Sequence, residues 1–126
     1  MNLPSELLAA ASRSADALFA DLAHARAVVI ATEDGMEVVS VIRNELDAAR
    51  FSAITSSMSA IGEVVSSETG LGSVRCVMVE ADGGYLVMRG CRSGGIGLVV
   101  AALVGRDALL GLAIHRVGQA AREFSA

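Results

Sequence analysis

Chemistry in a small protein needs nucleophiles, acids, bases or anion cradles at set spacings, and this chain offers few of them. His24 and His115 are its only imidazoles. Neither has an acidic or cysteine neighbour at ligand spacing, so neither reads as a metal ligand or a proton carrier. Cys76 and Cys91 flank the turn-like Asp82-Gly83-Gly84 and are equidistant from a Gly83–Gly84 loop. With that loop they would face each other closely enough to bridge, and a shift of one residue would separate them. Ordinary reduced core thiols are the expected state. Ser52, Ser56, Ser57, Ser59, Ser66 and Ser67 include no serine with glycines two residues to either side, so a nucleophile elbow is not expected. Gly94-Gly95-Ile96-Gly97 has the composition of a phosphate cradle, but such loops join a strand to a helix N-terminus. Here the glycines precede a strand, which points to a turn, a bulge or a close backbone approach. Arg43, Arg50, Arg75, Arg89, Arg92 and Arg106 are scattered along the chain, and none is nominated as catalytic. All 10 cations are arginines. The missing lysine removes the phosphate-loop lysine, a Schiff-base lysine and a lysine base. No catalytic, cofactor or metal residue is assigned, and the expectation is a protein that is not an enzyme.

The 126 residues fit a single domain spanning 1–126 that can bury a core without disulfides or metal. A formal charge of −4 argues against a nucleic-acid partner, which needs a basic face. Met1-Asn2-Leu3-Pro4 lacks a charged segment followed by an apolar run, so no signal peptide is read and a cytoplasmic location with reduced thiols is expected. The most apolar stretch runs from Gly94 to Gly105 without a charge. It is shorter than the roughly 20 apolar residues of a membrane span, so no membrane insertion is expected. Its lack of alternation marks a central strand covered on both faces, which requires helices on both sides of a sheet.

Local signals divide the rest. Pro4 and Ser5 open a first helix with an apolar stripe of Leu8, Ala11, Ala15, Leu18 and Leu22. Ala27–Thr32 and Glu37–Ile42 form a hairpin about Asp34-Gly35. Asp47 caps a helix that runs to Thr69 and stops at Gly70. That helix has one stripe of large residues (Phe51, Ile54, Met58, Ile61, Val65) and a second face of small ones (Ala49, Ala53, Ser56, Ser57, Ala60, Val64). It carries almost no charge between Arg50 and Glu63, whereas a helix on a monomer's surface should show a charged face. One side is therefore expected against its own sheet and the other against something else. Ser73–Glu80 and Tyr85–Arg89 are strands, the Gly94–Gly105 run is the fifth, and Asp107 caps a last helix with the stripe Leu110, Ile114, Val117, Ala121 and Phe124.

The resulting order, α-β-β-α-β-β-β-α, together with several short signatures, resembles the Roadblock family of dynein light chains and small-GTPase regulators. The residues that carry the resemblance are Val28–Val38 for the first hairpin, the small-residue helix from Asp47, Asp82-Gly83-Gly84-Tyr85-Leu86-Val87 for the second hairpin, and Leu109-Leu110-Gly111-Leu112 at the last helix. It covers nearly the whole chain. The resemblance implies an α+β sandwich with a five-stranded antiparallel sheet, the middle helix on one face and the terminal helices on the other, and the first and fifth strands adjacent at the centre. It also implies a homodimer paired through the middle helix and third strand, for which the interface residues would be Ala49, Ala53, Ser56, Ser57, Ala60, Val64, Val74, Cys76, Val77 and Met78.

Function follows from the same resemblance: a non-enzymatic homodimeric adaptor that binds and regulates a small Ras-like GTPase, with no cofactor. Regulators of this type in the family remodel the GTPase rather than donate an arginine finger. Two alternatives stand beside it, an assembly module of light-chain type that dimerises larger partners, and a small-molecule sensor with a pocket between helix and sheet.

Overall fold

The computed structural model describes residues 2–43 and 45–124. Met1, where the leader reading begins, and the last two residues of the 1–126 domain lie outside them. The elements are α1 (Ser5–Asp21), β1 (Ala25–Thr32), β2 (Glu37–Ile42), α2 (Ala48–Thr69), β3 (Val77–Ala81), β4 (Gly84–Ser93), β5 (Ile96–Gly105) and α3 (Leu110–Phe124). The sheet has five strands in the order β2-β1-β5-β4-β3, and every neighbouring pair is antiparallel. β1 and β5 are adjacent, as the two uninterrupted apolar runs require.

Alternation along these strands sorts the core into two layers. Val28, Ile30, Leu98, Val100, Ala102 and Val104 point to one face, where they meet Leu7, Ala11, Ala15 and Leu18 of α1 and Ala113, Val117, Ala121 and Phe124 of α3. Ala27, Val29 and Ala31 point to the other face against Phe51 of α2, and Met88, Val99 and Ala101 lie beside Met58. With both faces covered, β5 has no polar side to show, and its residues 98–102 are all buried.

Several local expectations shift. In α1 the buried stripe begins at Leu7, and Leu8 faces out. In α3 Ala113 takes the inward place expected of Ile114, which is exposed. Asp107 does not cap α3. It sits inside a turn closed by the Ala108 N–H on the Gly105 carbonyl, and the first helical bond runs from the Ala113 N–H to Leu109. Gly94 and Gly95 form the two-residue β4–β5 loop between the paired Ser93 and Ile96, both with positive φ, which is the turn reading of that glycine cluster. His24 also has a left-handed backbone, in the turn that leads into β1.

The second hairpin departs furthest from expectation. Ala81 pairs with Gly84, so the loop is Asp82–Gly83 rather than Gly83–Gly84. Both thiols are free, and the register found for β3 and β4 does not set them opposite each other. β3 also starts at Val77, not Ser73. The preceding chain is tethered to the end of α2, where the Ser66 hydroxyl donates to the Gly72 carbonyl and the Leu71 N–H to the Ser66 carbonyl. That tether draws residues 73–76 away from β4, whose second half pairs only with β5.

Candidate functional site

α2 is fixed at both ends by its own sequence. The Asp47 carboxylate accepts the Arg50 N–H at 3.1 Å, and Gly70 closes the helix in a left-handed conformation with φ 70°. Its orientation about its own axis decides what the protein shows to others. The buried residues are Phe51, Ser52, Thr55, Ser56 and Ser66. The Ser56 hydroxyl donates to the Thr32 carbonyl at 2.7 Å, and that of Thr55 to the Ser52 carbonyl at 3.0 Å, so small polar side chains enter the core with their hydroxyls satisfied. The Ser52 hydroxyl is buried without a hydrogen-bond partner among the described residues. Gly62 permits the close approach to β3: a Cβ there would lie 2.5 Å from Val77 Cγ2.

This packing turns three of the five large side chains of the stripe outward. Of the large-residue stripe, Phe51 is buried and Met58 half-buried, while Ile54 (46%), Ile61 (61%) and Val65 (50%) are exposed. Close helix–sheet contact explains the arrangement, because serine and glycine let the α2 backbone lie near the sheet where isoleucine would hold it off. Val64 and Leu71 are exposed as well.

Ala49, Ala53, Ser57, Ala60 and Val64 of the expected dimer surface lie exposed on α2. Ser56 turns instead to the sheet. Val74, Cys76 and Val77 are half-buried, and Met78 is exposed on the edge strand β3. Sequence reasoning missed Ile54, Ile61, Val65 and Leu71 as surface residues. The available signal was their bulk on a helix whose opposite side already held serines and a glycine able to pack closely. Between the second half of α2 and residues 71–77 runs a groove of about 970 Å³ lined mainly by Met58, Ile61, Val65, Leu71, Val74 and Val77. The outer face of α2, without a charge from residue 51 to 62, adjoins this groove, which reaches Val77 at the start of the edge strand β3.

The groups considered for chemistry are spread apart. Among the described residues no group of three or more His, Cys, Asp or Glu could hold a metal ion. Both histidines are exposed. Arg92 pairs with Glu33 at 3.3 Å, Arg106 with Glu80 at 2.9 Å and Arg116 with Asp21, while Arg43 lies 5.2 Å over the Phe19 ring. Among the described residues no helix is long and apolar enough to cross a membrane.

Burial raises the pKa of both thiols. Cys91 is pushed from 9.0 to about 11 and Cys76 moves in the same direction, against a smaller opposing effect of Arg89. The thiolate is the reactive form, so Cys91 should alkylate with iodoacetamide at pH 8 at least about tenfold more slowly than a free thiol, and Cys76 should also be slowed. The check is intact-mass spectrometry over time. Linkage runs in the same sense. The folded Cys91 thiol holds its proton above the 9.0 of a free thiol, so this contribution to stability is complete below pH 9.0 and is lost as pH rises through about 11.

The family model for the Roadblock/LC7 domain matches residues 11–102. Among solved structures, MglB of Myxococcus xanthus is similar at 19% identity over 99% of this chain and 92% of that one, with a TM-score of 0.82. A Roadblock/LC7 domain from Streptomyces avermitilis is 22% identical over 88% of this chain and 91% of its own, with a TM-score of 0.77. The gliding protein MglB of Thermus thermophilus is 13% identical over 96% and 95%, with a TM-score of 0.68. These likenesses are of fold. No curated protein matches the chain.

Proposed function

The chain belongs to the Roadblock/LC7 domain family, and from that membership we propose that it is a non-enzymatic homodimeric adaptor that binds and regulates a small Ras-like GTPase. The observation that carries the reading is the apolar outer face of α2 beside the open edge of β3. Ile54, Ile61, Val64 and Val65 stand exposed there together, which is unfavourable for a protein that stays a monomer. β3 is also an unpaired edge strand, a liability that pairing with a second copy removes. Arg50 and Glu68 lie near opposite ends of α2, both exposed on this outer side. A two-fold axis through the middle of the helix sets two copies antiparallel, and each Arg50 then meets the partner helix's acidic end.

In this reading the paired helices present one composite face to the GTPase, and regulation comes from docking rather than from a donated side chain. A regulator must bind the GDP and GTP states with different affinity, since equal affinity shifts no equilibrium. Isothermal titration against a Ras-like GTPase of the same cell, loaded with GDP or with a non-hydrolysable GTP analogue, should therefore give affinities that differ by about tenfold or more, equivalent to ~1.4 kcal/mol. Equal affinities would move the protein to the class of passive assembly modules. No binding to any such GTPase would refute the regulatory reading and leave the fold untouched.

A further inference from the structure

We propose that Arg89 of β4 and Arg122 of α3 form a binding site for a phosphate-type oxyanion, on the sheet face opposite α2. The two side chains converge on Gly118: a Cβ placed at that residue would lie 3.3 Å from Nη1 of each arginine. The two nitrogens are therefore separated by no more than twice that distance, a gap that one tetrahedral oxyanion spans. Topology brings them together. β4 runs antiparallel to β5 and α3 returns over both strands, so the last turns of α3 lie above the second half of β4.

Neither arginine has a hydrogen-bond or ion-pair partner among the described residues, although the chain carries 14 carboxylate side chains to 10 arginines. Arg92, Arg106 and Arg116 are each paired with a carboxylate. The groups that act electrostatically with Arg89 are the Cys76 and Cys91 thiols, which burial keeps in the neutral form. Two guanidinium ions this close repel each other unless an anion sits between them. Guanidinium forks match phosphate oxygens in geometry, and two of them favour a dianion over a carboxylate. Gly118 supplies the floor. It is buried and has no side chain, which is what lets both guanidinium ends lie against α3, and an oxyanion would bridge them on the side away from Gly118. The outer face of α2 is on the other side of the sheet, so the site is independent of the dimer surface and of the GTPase reading.

The test is an amide NMR titration of the full chain with inorganic phosphate, with O-phosphoserine as a monoester, and with acetate and chloride at matched ionic strength. Saturable shifts centred on the Gly118 and Arg89 amides are expected with phosphate and not with acetate or chloride. A response to O-phosphoserine equal to that of phosphate would identify phosphomonoesters as ligands, and a much weaker one would assign the site to free phosphate. Arg89→Gln and Arg122→Gln should each weaken phosphate binding about tenfold, the usual loss of one charge-assisted contact. Arg92→Gln should leave it unchanged. Arg122 is exposed and Arg89 half-buried, and an unaltered spectrum elsewhere reports that each variant is folded. Shifts that match chloride, follow acetate equally well, or persist in the double Arg89→Gln, Arg122→Gln variant would overturn the assignment.

Discussion

Arginine in place of Ala60 should yield a folded monomer. Ala60 is exposed on the outer face of α2, so in a single chain the long side chain extends into water and the core is undisturbed. In the proposed dimer the same face meets its own copy. An arginine there loses its water without gaining a partner, and the two-fold axis brings the second copy's arginine into the same contact. An unpaired buried charge costs about 3–5 kcal/mol, or two to three orders of magnitude in the dimer dissociation constant. Light scattering should report about twice 12.9 kDa for the native protein at micromolar concentration and a single chain mass for Ala60→Arg. Circular dichroism of the variant should be unchanged. Ala53→Arg should behave alike, and Gln119→Arg, on the exposed side of α3, should remain a dimer. A native protein that is already a monomer, or an Ala60→Arg that still pairs, would defeat the interface.

The position of Ala60 also shows what the sequence could and could not specify. Element order was legible because its signals are local. Asp34-Gly35, Asp47, Gly70 and Gly94-Gly95 each impose a turn or an end through their own backbone or side chain, and the structure uses all four. The central place of β5 was legible from its missing alternation. The orientation of α2 was legible only in part, because its charges lie towards its two ends and residues 51–62 carry none to mark the outside: Ala49, Ala53, Ser57, Ala60 and Val64 are exposed as expected, but Ile54, Ile61 and Val65 of the large-residue stripe are exposed with them. Which side packs inward depends on how closely the Ala27, Ala31 and Ala101 surface of the sheet allows a helix to approach. Ser56 and Gly62 fit that surface and Ile61 does not. The start of β3 was hidden for a related reason. Residues 73–76 run without a break into Val77–Val79 in the sequence, but the Ser66–Gly72 contact that holds them off β4 joins a helix to a loop and leaves no periodic trace.

The register of the second hairpin leads to the largest expected effect on stability. Gly83 and Gly84 look equivalent in the sequence, and a loop at Gly83–Gly84 would make both of them turn residues. In the structure the loop is Asp82–Gly83, and Gly84 is a strand residue paired with Ala81 on one side and Gly105 on the other. Its φ is +149°, and a Cβ would lie 2.1 Å from the Val104 carbonyl oxygen and 3.0 Å from Gly105 Cα. All of these obstacles are backbone atoms of the central strand, which no rotamer change can clear. A Cβ at Gly83 meets nothing within 4 Å. Gly84→Ala combines a strained backbone with a steric conflict, each costing about 1–3 kcal/mol, for a total of roughly 2–6 kcal/mol. At this chain length that lowers the melting temperature by about 10 °C or more. Gly83→Ala should change it by no more than about 3 °C, since an open turn position costs under 1 kcal/mol. Thermal denaturation of the two variants side by side distinguishes the loops. Equal losses, or a greater loss at Gly83, would put the turn at Gly83–Gly84 and set Cys76 opposite Cys91. A loss confined to Gly84 fixes the register that brings Arg89 beneath Gly118 and leaves the two thiols unpaired.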